Sequence, residues 1–179
     1  MSHCCCIVML EDGFHDDMGT EGRVGLLLAP YDEGLPMAPY VDMSAREIAD
    51  RASDATGSCR ALVGDDALCD RAACGDRHAI REVARRMCDL VDDMGNAYTT
   101  RNPNGRWDYW RIDGSWTGGA EEFRSDDVPA AIDRVSPSVV TPDGVWHEPD
   151  GGVIDYGLTP SEAIRRYPGC TCVVVDCHD

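Results

Sequence analysis

His3-Cys4-Cys5-Cys6-Ile7-Val8-Met9-Leu10 is a short, continuous apolar run closed by Asp12-Gly13. A run of that length ended by a turn signal reads as a strand buried on both faces. Near the other end of the chain, Thr171-Cys172-Val173-Val174-Val175 has the same character. Two such strands are expected to share one sheet, which makes both ends of the sequence structural. Between them, strand and helix signals mix without a strand–helix–strand rhythm, and that favours an α+β fold over a doubly wound sheet. The expectation is a single domain over residues 1–179, with a mixed or antiparallel sheet, its terminal strands paired, and about three helices packed on it.

Three segments carry helix signals. Ser44-Ala45-Arg46-Glu47 is a capping-box pattern and predicts a helix from there to about Ala52. From Asp76 to Met94, the residues Ile80, Val83, Ala84, Met87, Leu90, Val91 and Met94 recur at helical spacing, with Gly95 placed to end the helix in a left-handed conformation. Thr159-Pro160-Ser161-Glu162 caps a short helix ending near Tyr167-Pro168-Gly169. A shorter signal covers Asp127 to Val135. Gly25 to Ala29 is too short to classify by periodicity, and Pro30, Pro36 and Pro39 make the following stretch extended or looped. Arg106 to Ile112 alternates like a strand, while Val139 to Trp146 reads as two short strands around Pro142-Asp143-Gly144. The polar, Asp-rich stretch from Ser53 to Gly75 is expected to be a surface excursion.

Composition narrows the function classes. The 179 residues carry 33 acidic and 16 basic side chains, a formal net charge of -17, and every basic residue is Arg. Such a surface repels phosphates, so direct nucleic-acid binding is not expected. With no Lys, Lys-dependent chemistry is excluded. No apolar run approaches the ~20 residues of a membrane helix. The N-terminal residues lack the pattern of a signal peptide, which gives an expectation of a cytoplasmic protein with no membrane partner. In that compartment the ten cysteines are expected to be reduced, most of them as buried apolar filler. No nucleophile elbow, phosphate loop or dinucleotide motif is present, so no cofactor is expected.

Two groups of residues stand out as binding candidates. The block Asn102 to Trp116 holds three of the four Trp residues. On a strand, Trp107, Tyr109 and Arg111 would share one face, and Asp108, Trp110 and Ile112 the other. Such a face offers a rigid recognition platform, with core packing of the Trp residues as the competing reading. The second group is terminal. If the two end strands pair, His3 and His178 come close, with Asp176 beside them. Cys170 with Cys172, and Cys74 with His78, are further combinations of metal-ligating type. None has the paired C-x-x-C spacing of a structural zinc site, so no metal is expected. His147 beside Glu148, and His178 close to Asp176, are acid–base pairs by composition, although residues so near in sequence rarely face each other on a helix.

Several segments together resemble a family of bacteriophage and prophage proteins. They are Met1-Ser2-His3, Leu28-Ala29-Pro30-Tyr31-Asp32-Glu33 followed by Pro39-Tyr40-Val41-Asp42, the Asn102 to Trp116 block, Thr141 to Glu148, and Val174-Val175-Asp176-Cys177-His178. The family pattern in the central block is N-P-N-x-K-W-D-W-Y-x-I-G-G-R-W. This chain has Arg106 at the Lys position, Tyr109-Trp110 in reverse order, and Asp113 and Ser115 in place of a Gly and an Arg. Trp107, Asp108, Trp116, His3, Asp176 and His178 match. The resemblance implies a phage accessory protein. Joined to the charge, it suggests a non-enzymatic counter-defence role, an anti-CRISPR-type inhibitor whose acidic face mimics DNA and binds a basic host nucleic-acid-processing complex. A small-molecule, nucleotide-like binder or hydrolase with a Trp-lined pocket is the alternative, and a virion or assembly component the third reading. The expected binding residues are Trp107, Asp108, Trp110, Trp116, His3, Asp176 and His178.

Overall fold

The structure is a computed structural model that describes residues 3–13 and 15–178. In chain order the elements are β1 (His3–Leu10), α1 (Gly19–Leu28), β2 (Tyr40–Met43), α2 (Ala45–Ser53), α3 (Ser58–Val63), α4 (Asp66–Ala73), α5 (Arg77–Met87), β3 (Leu90–Val91), β4 (Ala97–Thr99), β5 (Tyr109–Ile112), β6 (Glu122–Arg124), α6 (Ile132–Val135), β7 (Ser138–Val140), β8 (Trp146–His147), α7 (Pro160–Arg165) and β9 (Thr171–His178). The class is α+β, as the sequence indicates. The chain forms two compact units, Met1–Leu35 with Asn102–Asp179, and Pro36–Arg101.

The first unit is built on a mixed six-stranded sheet in the order β5-β9-β1-β7-β8, with β6 also paired to β9. The terminal strands pair antiparallel along their whole length, from His3 opposite His178 to Leu10 opposite Thr171. β7 lies parallel on the other side of β1. The reason for the continuous apolar run is visible in the two cores. Cys5, Ile7 and Met9 face Ile132, Ala163 and Ile164 of α6 and α7. Cys6, Val8 and Leu10 face Val24, Leu27 and Leu28 of α1. Both faces of β1 and β9 are therefore covered, so neither strand alternates apolar with polar residues.

In the second unit, α2 to α5 enclose a core of Ile48, Ala52, Cys59, Val63, Leu68, Cys69, Val83 and Ala84, alongside a small antiparallel sheet β2-β4-β3. The stretch from Ser53 to Gly75, read as a surface excursion, supplies α3, α4 and five of those buried positions or their neighbours: Cys59, Val63, Leu68, Cys69 and Ala72. Helices of six and eight residues are too short for periodicity to reveal them, and their Asp-rich outer faces dominate the composition. The capping box of α2 forms as expected, with Glu47 N donating to Ser44 Oγ and Ser44 N donating to Glu47 Oε2 at 2.7 Å.

The helix expected from Asp76 to Met94 stops at Met87. Leu90 and Val91, which fit its periodicity, instead pair with Tyr98 and Ala97. The Asp92 carboxylate accepts from the amides of Met94 and Asn96, which fixes a turn there, and Gly95 serves that turn at φ 90° rather than a helix end. The segment Arg106 to Ile112, read as a strand, is regular only from Tyr109, and the shorter helix signal over Asp127 to Val135 condenses to α6. Of the unclassified Gly25 to Ala29, Gly25 to Leu28 are the last turn of α1 and Ala29 opens a 3-10 turn. The capping box of α7, built on Thr159 and Glu162, forms as expected.

Candidate functional site

β-sheet register explains why residues from three distant segments meet. His3, His178 and Tyr109 lie directly opposite one another across β1, β9 and β5, and the next same-face row is Cys5, Asp176 and Arg111. Side chains two apart on a strand point to the same side, so both rows rise from one face of the sheet. Asp176 sits at the centre. Its side chain is only 3% exposed, against 49% for His3 and 18% for His178.

The carboxylate is surrounded by nitrogen. His3 Nδ1 lies 3.1 Å and His178 Nε2 3.3 Å from Asp176 Oδ2. Arg111 Nε donates to the same oxygen at 3.3 Å and reaches Asp113 through Nη2 at 2.9 Å. Trp116 Nε1 donates to Oδ1 at 3.2 Å. Burial works to raise the pKa of Asp176, but the hydrogen bonds from His3 and Trp116 outweigh it and hold the group below the ordinary carboxylate range, so it is ionised at neutral pH. The two imidazole centroids are 4.0 Å apart, and the Tyr109 ring meets His178 edge-on at 5.2 Å.

Trp116 is delivered by a 3-10 turn, Gly114–Thr117, whose first free amide is capped by Asp113 Oδ1 at 2.8 Å. The turn packs so closely that a Cβ on Gly114 would sit 2.7 Å from the backbone of Ala120. The Gly at position 114 is therefore a packing requirement, and it places the indole N–H on the carboxylate. The buried thiols of these two strands are held in the protonated form at Cys5 and Cys172. Burial, reinforced by the charge of Cys4 and Asp176, pushes Cys5 up to about 12, and burial likewise raises Cys172 to about 12.

Of the seven expected binding residues, His3, Trp116, Asp176 and His178 come together. Asp108 is exposed and joins only through its backbone, its N–H donating to His178 O at 2.8 Å. Trp107 and Trp110 do not belong to the cluster. Both pack into the core on the opposite face of the sheet, where Trp107 Nε1 donates to Leu28 O at 3.2 Å and Trp110 lies against Gly25. The strict alternation expected from Trp107 onward fails because the strand begins at Tyr109, and Trp107 instead bridges to Asp32. The expected Trp platform is thus divided between two faces. Arg111 and Tyr109 are the residues the sequence reading left out of the site, although their even spacing on one strand was the available signal.

His147 pairs with Asp155 through Nδ1, not with the adjacent Glu148, which binds Arg106 Nε at 2.7 Å. Its Nε2 lies 3.3 Å from Thr141 Oγ1, beside a cavity of about 110 Å³ lined in part by Tyr156, Leu158 and Arg166. The Thr141 hydroxyl donates to Asp143 at 2.5 Å and its amide to Val145 O, so this trio locks the β7–β8 turn. Comparison with family models, curated proteins and solved structures finds no match to this chain.

Proposed function

We propose that the chain binds a small, nucleotide-like molecule, with an anionic group and a flat ring, at the His3–Asp176–His178 cluster. The observation that carries this reading is the convergence of two imidazoles on one buried, ionised carboxylate at an accessible end of the sheet. Such a carboxylate fixes the orientation of both rings, as binding and catalytic imidazoles require. Arg111, with a side chain 55% exposed, is the cationic group beside it for an anion. Tyr109, also exposed, offers a ring face next to His178. Native mass spectrometry of the intact chain after incubation with a panel of nucleotides and simple phosphoesters tests the reading. Retention should fall at least ~10-fold in Arg111→Ala, which loses a charge-assisted contact, and should also fall in Tyr109→Ala, which loses a ring contact. Retention that is unchanged in both variants, or absent in the parent chain, overturns it.

A second reading rests on a different observation. The unit of residues 1–35 and 102–179 carries 21 acidic residues against 7 arginines, a net of -14, whereas residues 36–101 carry 12 against 9, a net of -3. That segregation supports presentation of the acidic unit to a basic, nucleic-acid-binding complex, the mode of action of the phage counter-defence role that the resemblance implies. Capture driven by charge weakens steeply as ionic strength rises, so a host complex pulled down equally well at low and high salt would count against it.

A further inference from the structure

The structure assigns a divalent transition-metal site to His3 Nδ1, His178 Nε2 and Asp176 Oδ2, a reading that rests on the ligand site proposed above and supplies its chemistry. Their ligand atoms lie within 4.8 Å of one another. The two nitrogen-to-oxygen separations, 3.1 and 3.3 Å, are the edges of a coordination polyhedron with metal–ligand bonds of about 2.0 to 2.1 Å, the usual range for nitrogen and carboxylate oxygen on such ions. Hydrogen-bond distances and polyhedron edges coincide for both of these pairs, so an ion could replace the two hydrogen bonds at Oδ2.

The donor set selects the ion. Two imidazoles and one carboxylate suit zinc, cobalt, nickel or iron in the divalent state, while magnesium and calcium favour all-oxygen sites. Three protein ligands on one side leave at least one position open to water or ligand, the pattern of a catalytic rather than a structural site. Trp116 acts as a positioning residue: by donating to Oδ1 it leaves Oδ2 turned to the two imidazoles. Arg111 shares Oδ2 but also holds Asp113, and that second partner retains it when an ion takes the oxygen.

An ion also resolves a conflict of charge. In a unit of net charge -14 the Asp176 carboxylate works against Arg111 in holding an anionic ligand, and two further positive charges at the cluster would tip the local sign in its favour. Water bound to such an ion loses a proton near neutral pH. In a phosphoester held there, the resulting hydroxide would form a new P–O bond as the bond to the leaving group breaks, and the leaving oxygen takes up the released proton. For a phosphoester held at the proposed ligand site, hydrolysis is the reaction such an ion would support.

Cobalt(II) added to the untagged, chelator-treated full chain is the test, because its absorption reports the ligands. One ion per chain is expected, with visible d–d bands and without the near-ultraviolet charge transfer of a cobalt–thiolate bond. His3→Ala, on a half-exposed side chain, and Asp176→Asn should each abolish those bands, with far-ultraviolet circular dichroism reporting that the fold is kept. Trp116→Phe should weaken binding by ~10- to 100-fold, the usual effect of losing a partner behind a ligand. Cys74→Ser, at an exposed thiol, should change nothing. Thiolate bands, binding unaltered in the folded His3→Ala chain, or no binding at all would overturn the metal site. Cobalt held here by a chain that retains no nucleotide or phosphoester sinks the ligand reading and leaves the metal site standing. Retention of such a ligand by a chain that shows no cobalt bands does the reverse.

Discussion

Two tryptophans nine residues apart in one motif have different tasks. Trp107 is buried and bonded to the end of α1, while Trp116 is half-buried with its N–H on Asp176. Replacing Trp107 by Ala opens a large void and removes the indole donor to Leu28 O, a loss of ~3 to 5 kcal/mol. Chemical denaturation should show that loss, and whatever remains folded should keep the cluster's ligand preferences. Trp116→Phe preserves most of the packing and removes one hydrogen bond to a charged group, worth ~1.5 to 3 kcal/mol, so its effect should appear chiefly in binding at His3, Asp176 and His178. Asp176→Asn places an amide NH2 among groups that already donate to that position. A denaturation midpoint equal to that of the parent chain would show that the carboxylate charge contributes nothing to the fold.

Short elements are where reading by pattern succeeds or fails. Ser44→Ala should cost ~1 kcal/mol through loss of the α2 cap, measurable as a shift in denaturant midpoint. Asp133 ties α6 to α7 by accepting from Ser161 N at 2.9 Å and from Ser161 Oγ at 2.7 Å. Burial works to raise its pKa, yet these hydrogen bonds hold it below the ordinary 3.8. The stabilisation from a lowered carboxylate is complete above 3.8 and is lost as pH falls through the lower folded value. Amides of α7 should therefore lose protection from hydrogen exchange below about pH 4, and Asp133→Asn should be less sensitive to pH in that window. The paired end strands and both capping boxes were legible because two-faced burial and cap chemistry are written in contiguous residues. α3 and α4 were not, since six to eight residues give too few turns for a period. Half the site was legible in the same sense: Asp176 and His178 stand two apart on one strand, and pairing of the ends brings His3. Arg111 and Tyr109 enter only through the register of β5 on β9, which depends on where that strand starts.

For the whole molecule, the decisive quantity is how charge is shared between the two units. Residues 36–101 nearly balance, with Arg60 held by Asp66 and Asp70, and Arg86 by Asp65 and Glu82. The sheet unit has three acidic residues for every arginine, so its carboxylates repel one another at neutral pH. Unscreened repulsion destabilises a compact state, and salt relieves it over a Debye length that shrinks from ~10 Å at 0.1 M to ~3 Å at 1 M. Raising salt should therefore stabilise the sheet unit more than the helical one. Hydrogen exchange on the intact chain resolves this, because amides of β1, β7 and β9 report one unit and those of α2, α4 and α5 the other. Protection in the three strands should increase as salt is raised, with a smaller change in the helices. An equal response in both would mean that the excess carboxylates of the sheet unit are too far apart to interact, and it would remove the field on which the docking of that unit to a basic partner depends.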